Sequence, residues 1–333
     1  MKSIEFIAEI GGNFTTPSEG IKLVDAAKKS GATSVKLQTY KADTVASSTD
    51  AVLDMENTGV VSQHQLFQKF ELEENVHREV FDHAKLIGLK FLSTPSHKTD
   101  VDLLEKFDVS AYKIGSDDAT NLPFLRYVAK TFKPVILSTG MCTMSEVHEA
   151  VDALLGAGCA DISILHAVTS YPTHHQDVNL KAMVTLKKHF PDFKIGYSCH
   201  TLTPLACFSA IVLGAEIVEK HFTLDKNADG PDHMLSATPE EFQWIVDSAR
   251  EFYIFSGNGV KRPAKSESIT RINNRKSIVV TEDVSVGAII RREMIDVKRP
   301  GTGIEPKYFD LVIGRKLATE LRADSVLRWD HFG

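Results

Sequence analysis

The stretch Pro134-Val-Ile-Leu-Ser-Thr-Gly-Met-Cys-Thr143-Met-Ser-Glu146, running on to Ile162-Ser-Ile-Leu-His-Ala167, contains one complete structural sentence. Pro134–Leu137 and Ile162–Ala167 are short, β-branched, apolar runs of strand length. Between them Thr143 and Glu146 stand at the spacing of a helix capping box, and Val147, Ala150, Val151 and Leu154 behind them share one helical face. Strand, helix, strand is the unit of a parallel sheet.

Working outward, the same unit recurs. Further strand-like runs are Ile4–Ile10, Ser34–Leu37, Leu89–Leu92, Ala111–Ile114, Lys194–Tyr197 and Glu216–Val218, which brings the number to eight. Helix starts lie between them: Thr16-Pro17-Ser18-Glu19 and Thr238-Pro239-Glu240-Glu241 each pair a Thr cap with Pro at the first helical position and Glu three residues on. Eight strands alternating with helices over the first three-quarters of the chain predict a (β/α)8 TIM barrel rather than an open doubly wound sheet. No G-x-G-x-x-G follows any of the runs, so the dinucleotide-binding alternative lacks its fingerprint.

Composition narrows the function. Of 333 residues, 43% are apolar and 25% charged, with 20 Gly and 12 Pro, which excludes collagen-like, low-complexity and disordered chains. The 38 basic against 44 acidic residues give a formal charge of −6, and no Lys/Arg run exceeds three, so no concentrated basic surface invites nucleic acid. Four cysteines without C-x-x-C spacing fit a reducing compartment. Acidic residues interrupt the N-terminus, Met1 to Glu9, and no window approaches the roughly 18 apolar residues of a membrane span. The expectation is a cytoplasmic protein without nucleic-acid or membrane partners.

Two segments depart from the repeat. Residues 41–70, after the second strand, hold Asp43, Asp50, Asp54, Asn57 and His64 with little periodicity, and a loop this long builds or covers a site. Past 257 a polar, turn-rich linker, 258–275, precedes short Val/Ile/Leu runs broken by Gly, Asp and Pro. We read a catalytic barrel over 1–257 and a small β-rich domain over 276–333, too small for more than a marginal core and expected to dock on the barrel or on a partner subunit.

A (β/α)8 barrel places its chemistry at the C-terminal strand ends. Those positions here are Glu9; Lys36 and Gln38; Ser93 and Thr94; Lys113 and Ser116; Ser138 and Thr139; His166, Thr169 and Tyr171; Ser198 and His200; Glu219 and His221. Converging so many polar groups on one mouth demands a ligand or water to satisfy them. Lys36 and Lys113 with the hydroxyls of Thr94, Ser116 and Ser138 suit a phosphate or carboxylate. His200 and His221, on neighbouring strands beside Glu219, could share one divalent ion with positions left open. Strand alternation turns Cys199 away from them.

Motifs along the whole chain resemble those of the sialic acid synthases, the N-acetylneuraminate synthases and their bacterial legionaminic and pseudaminic acid relatives. They are Ala8-Glu-Ile-Gly11, Val35-Lys-Leu-Gln38, Phe91-Leu-Ser-Thr-Pro95, Tyr112-Lys-Ile-Gly-Ser116, Leu137-Ser-Thr-Gly-Met141, Tyr171-Pro172, Ser198-Cys-His-Thr201, Glu219-Lys-His-Phe-Thr223 and Gly230-Pro-Asp232. Lys298-Arg-Pro-Gly-Thr-Gly303 and Gly314-Arg-Lys-Leu-Ala318 are similar to the antifreeze-like (SAF) domain that ends these synthases.

The resemblance implies condensation of phosphoenolpyruvate with an N-acetylated aldose, giving a nine-carbon 2-keto acid and phosphate. It implies that Lys36, Thr94, Lys113, Ser116, Ser138, Thr169 and Ser198 hold phosphoenolpyruvate, and that His200 and His221 hold Mn2+, with Mg2+ or Co2+ as alternatives. Gln38, Asp118, Tyr171 and Asp232 would face the sugar, and Arg299, from the partner subunit of a domain-swapped homodimer, would cover its N-acetyl group. Glu9 and Glu219 are the candidates for handling the water that adds, with Lys113 and Tyr171 beside the reacting atoms. Three positions depart from the family pattern: Cys199 where Asp is common, Asp118 where a longer Glu is common, and Thr169 where Asn often stands. Other phosphoenolpyruvate-condensing barrels, of the shikimate and Kdo type, lack such a tail. A non-enzymatic carbohydrate- or ice-binding protein would have no use for two lysines and two histidines at strand ends.

Overall fold

In the computed structural model, which describes residues 4–49, 52–55 and 59–333, those at 52–55 and 59–61 by their backbone alone, the chain divides into two compact units, Met1–Ser256 and Gly257–Gly333. The strands in chain order are β1 (Glu5–Glu9), β2 (Ser34–Thr39), β3 (Val52–Met55), β4 (Gly59–Ser62), β5 (Lys90–Pro95), β6 (Ala111–Ile114), β7 (Val135–Ser138), β8 (Ile162–Ala167), β9 (Lys194–Cys199), β10 (Ile217–His221), β11 (Ser277–Val280) and β12 (Ile295–Lys298). Eight of them close a parallel barrel in the order β1-β10-β9-β8-β7-β6-β5-β2. Closure comes from β1 pairing with both β10 and β2, so that Glu9 stands level with His221 on one side and Lys36 on the other. Every predicted barrel strand is present.

Helices return the chain between strands, and their caps are those read in the sequence. The Thr16 and Thr143 boxes close reciprocally on Glu19 and Glu146, and Thr238 exchanges bonds with Glu241. The apolar faces behind these caps build the layer between helices and barrel, while a separate cluster of Ile7, Leu92, Ala111, Ile136, Leu165 and Ile217 fills the lumen.

The insertion after β2 has more order than its sequence suggested. It holds a single helical turn at Ala42–Val45, the antiparallel pair of β3 and β4, and a helix at Gln63–Phe70. Asp43 pairs with His64 at 2.8 Å, and Lys69 reaches Asp229 at 2.8 Å, tying this segment to the loop that follows β10. Asp50 and Asn57 lie outside the described residues, as do Met1 to Ser3 at the N-terminus.

In the second unit β11 and β12 pair antiparallel, with isolated bridges such as Val284 to Leu321 and Leu317 to Phe332. Ile278, Val280, Val284, Ile290, Ile304, Val312 and Leu327 give it an apolar core of its own. The linker segment falls within this unit and carries the short helix Ser268–Asn274. Among the described residues no helix is long and apolar enough to cross a membrane.

Candidate active site

Side chains alternate along each strand, so the residues two beyond the lumen cluster share its inward direction. They are Glu9, Thr94, Lys113, Ser138, Ala167 and Glu219, joined from β2 by Lys36. The Lys36 ammonium lies 2.6 Å from Glu9 Oε2 and 3.8 Å from Glu219 Oε1, and donates to Thr94 Oγ1 at 3.0 Å. Gln38 Nε2 donates to Glu9 Oε1 at 3.3 Å, and Ser198 Oγ to Glu219 Oε1 at 3.0 Å. Lys113 donates to Ser138 Oγ at 2.5 Å and to the Ile114 carbonyl at 3.0 Å. All four charged side chains are buried.

Burial and neighbours set their charges. Burial opposes the charge on Lys36, but Glu219 and Glu9 outweigh it and hold the ammonium above its ordinary range. Burial also presses on Glu219, where Lys113, Lys36 and the Ser198 hydroxyl prevail and keep it an ion. Glu9, dry and facing a second carboxylate, is pushed up. Lys113 has only uncharged acceptors, and burial draws it down to about 8.

His200 and His221 meet at the lip, with ring centroids 5.5 Å apart. His200 Nδ1 faces the Val168 carbonyl at 2.8 Å, which makes it the protonated nitrogen and leaves Nε2 as a lone-pair donor. His221 Nδ1 is buried without a hydrogen-bond partner, 3.5 Å from Asp232 Oδ2. Burial lowers His200 to about 4 and His221 well below the usual range, so both rings are neutral near pH 7, the form that ligates a cation. The Tyr171 ring lies 4.2 Å from that of His200 at a tilt of 38° and meets His221 edge to face. Among the described residues no group of three or more His, Cys, Asp or Glu side chains forms a ready-made metal cluster.

The remaining predicted residues are placed as follows. Ser116 Oγ accepts from Gly140 N at 2.9 Å, and Thr169 Oγ1 is a buried hydroxyl without a partner beside the same glycine, where a Cβ would come within 2.2 Å of it. That close approach explains the glycine. Asp118 accepts from Asn121 at 2.8 Å, with burial and then Asp117 raising its carboxyl to about 6. Asp232 is raised to about 7 by burial and Glu9, and its Oδ2 lies against Gly12. Arg299 belongs to the second unit, where it donates to Asn274 Oδ1 at 3.5 Å.

Alternation removes some candidates. Ser93 turns outward to Thr39 at 2.6 Å, Thr139 bonds the Leu165 carbonyl at 2.9 Å, and His166 bonds the Val178 carbonyl at 2.8 Å while stacking on Tyr197. Cys199 also faces outward, with Thr201 Oγ1 at 3.3 Å. The sequence reading passed over Asn13, in the turn after β1: its amide donates to the Phe222 carbonyl and to Ser236 Oγ, and its Oδ1 is buried without a hydrogen-bond partner. The Gly11-Gly-Asn13 turn directly after β1 was the available signal.

The closed (β/α)8 barrel thus gathers two buried lysines, two buried carboxylates and a pair of imidazoles at the C-terminal ends of its strands, the end at which barrels of this class carry their sites. Residues 23–261 match the NeuB family and residues 275–333 the SAF domain. The chain belongs to the NeuB family and carries a C-terminal SAF domain. It is 43% identical over 97% of its length to the protein MJ1065 of Methanocaldococcus jannaschii, covering 93% of that protein. It is 38% identical to the N,N'-diacetyllegionaminic acid synthase of Legionella pneumophila, over 98% of this chain and 93% of that one. Among solved structures, the N-acetylneuraminic acid synthetase of Leptospira borgpetersenii, in complex with citrate, superposes with a TM-score of 0.69 at 28% identity, over 80% of this chain and 90% of that one.

Proposed function

We propose that this protein condenses phosphoenolpyruvate with an N-acetylated aldose to give a nine-carbon 2-keto sugar acid and inorganic phosphate. The observation that carries the reading is Lys113: it stands at the inward C-terminal end of its barrel strand, buried beside Lys36 and several hydroxyls, and its own hydrogen bonds end on a hydroxyl and a carbonyl, which leaves its charge for an anion from outside the protein. Phosphoenolpyruvate supplies two anionic groups for the two lysines, with Thr94, Ser116, Ser138, Thr169 and Ser198 as hydroxyl partners.

His200 and His221 fit a divalent cation, because both are neutral and one buried ring nitrogen lacks any partner. With two protein ligands the other positions are open to water and substrate, and Mn2+ is the ion we assign, ahead of Mg2+ or Co2+. Bound there, the ion supplies Lewis acidity to the open-chain aldehyde of the sugar. The chain's own residues do the rest. Lys36 and Lys113 hold phosphoenolpyruvate with its C3 toward that aldehyde, and Gln38, Asp118, Tyr171 and Asp232 hold the sugar. As the C–C bond forms, positive charge develops at C2 and water adds there. Glu219 takes the water's proton: it stays ionised, and its Oε2 is buried without a partner. Glu9 serves as the counter-ion of Lys36. The proton taken by Glu219 passes on to the alkoxide left where the aldehyde was, and the tetrahedral adduct collapses to the 2-ketone as its C–O bond to phosphate breaks, the C2 hydroxyl proton leaving with the phosphate.

The Legionella relative, alike over nearly the full length of both chains, favours a 2,4-diacetamido-6-deoxy hexose over N-acetylmannosamine or its 6-phosphate. Arg299, from the SAF domain of a second copy in a domain-swapped dimer, covers the N-acetyl group in this reading. Phosphate release measured with phosphoenolpyruvate, Mn2+ and each of the three aldoses tests it. The diacetamido sugar should give the highest kcat/KM, and no release with any aldose would overturn the assignment. Arg299→Ala should raise the sugar KM far more than the phosphoenolpyruvate KM; equal effects would remove Arg299 from the sugar site.

A further inference from the structure

β10 turns Glu219 and His221 into the barrel, so the residue between them points to the outer side of the wall. That residue is Lys220, a charged side chain only 1% exposed. Its Nζ donates to the Thr201 carbonyl and, at 2.8 Å, to the Leu235 carbonyl. Both acceptors are main-chain groups of loops.

The two loops are the ones that matter. Thr201 follows His200 directly, and its hydroxyl donates to the Thr203 carbonyl at 2.8 Å. Leu235 lies on the turn returning from Asp232, where Ser236 donates to the Asp232 carbonyl through N at 3.1 Å and through Oγ at 2.7 Å. The next residue, Ala237, donates to the His221 carbonyl at 2.7 Å. One ammonium therefore fastens the His200 loop and the Asp232 loop to the strand that bears Glu219 and His221.

A buried ammonium is an expensive way to fill space. Carbonyl acceptors return only part of its lost hydration, and a methionine would occupy a similar volume without that penalty. What the lysine adds over an apolar residue is a fixed separation between two carbonyls. We propose that Lys220 is a positioning residue that sets the distance between His200 and Asp232 across the barrel lip. The claim rests on the reading above, in which His200 serves the divalent ion and Asp232 the sugar.

Hydrogen exchange and kinetics of the full-length Lys220→Met variant test it together. Amides of residues 200–204 and 225–237 should exchange at least about tenfold faster than in the wild type, with the other barrel strands unchanged. The aldose KM should rise about tenfold while the phosphoenolpyruvate KM stays within about twofold. Unchanged exchange in both loops, or faster exchange throughout the barrel with equal losses in every kinetic parameter, would overturn the proposal. Should the methionine variant not fold, Lys220→Gln, with one short amide for two carbonyls, is read the same way; if neither folds, the contact is a folding requirement and the proposal fails. A wild-type enzyme without phosphoenolpyruvate-dependent turnover would refute the proposed reaction instead, and the exchange comparison would still decide the clamp.

Discussion

Ile7, Leu92, Ala111, Ile136 and Ile217 line the barrel floor, and two residues further along the same five strands stand Glu9, Thr94, Lys113, Ser138 and Glu219. The backbone geometry of the two layers is the same, because both belong to one continuous ladder of parallel pairs. The floor removes apolar surface from water and so supports the fold. The mouth buries ammonium and carboxylate groups that contribute little net stability, and the proposed anion site gives that arrangement a reason. Substitutions in the two layers should therefore separate cleanly into losses of function and losses of stability.

The largest expected effect lies at the lip. His200→Ala or His221→Ala should reduce turnover by at least about a hundredfold and weaken Mn2+ binding, while the melting temperature of the metal-free protein stays close to that of the wild type. Kinetics beside metal titration check this, and full activity in either variant would remove the pair from the site. On the floor, Leu92→Ala should lower unfolding free energy by about 2–5 kcal/mol with the phosphoenolpyruvate KM unchanged, as read by denaturant unfolding and steady-state assays. A raised KM without lost stability would erase the distinction between the layers.

Next comes the protonation of Lys113. Burial brings it to about 8, so it is charged below that pH and neutral above it. Affinity for phosphoenolpyruvate in the protein without sugar should be level below about pH 8 and fall as pH rises through it. Lys113→Met should weaken binding by about ten- to a hundredfold and flatten this dependence. A pH profile identical in variant and wild type would assign the titration elsewhere. The smallest effect is expected outside the lumen: Cys199→Ser, on the outward face of β9, should retain turnover within about twofold. A loss matching that of His200→Ala would place the thiol in the metal shell.

How much of this was legible before folding follows from the physics of each signal. Eight β-branched runs and three Thr–Glu caps are local patterns, and local patterns found every barrel strand. The lysines, carboxylates and histidines of the mouth could be named because a barrel sends inward strand ends to a common place. Ser93, Thr139 and His166 were grouped with them by residue type, although the alternation that excluded Cys199 excludes them as well. Lys220 was hidden between two functional neighbours, since its role depends on carbonyls 19 and 15 residues away in sequence. The order of the segment after β2 was equally hard to read: short elements such as β3 and β4 carry little periodicity, and its tie through Lys69 to Asp229 spans 160 residues.

Titration calorimetry of phosphoenolpyruvate into the full-length protein, with and without Mn2+, bears most directly on the claim that the mouth is an anion site. Saturable binding to the wild type, lost when Lys36 and Lys113 are both replaced by Met, is the predicted result. Absence of binding to the wild type under either condition, or binding that survives the double substitution, would contradict it.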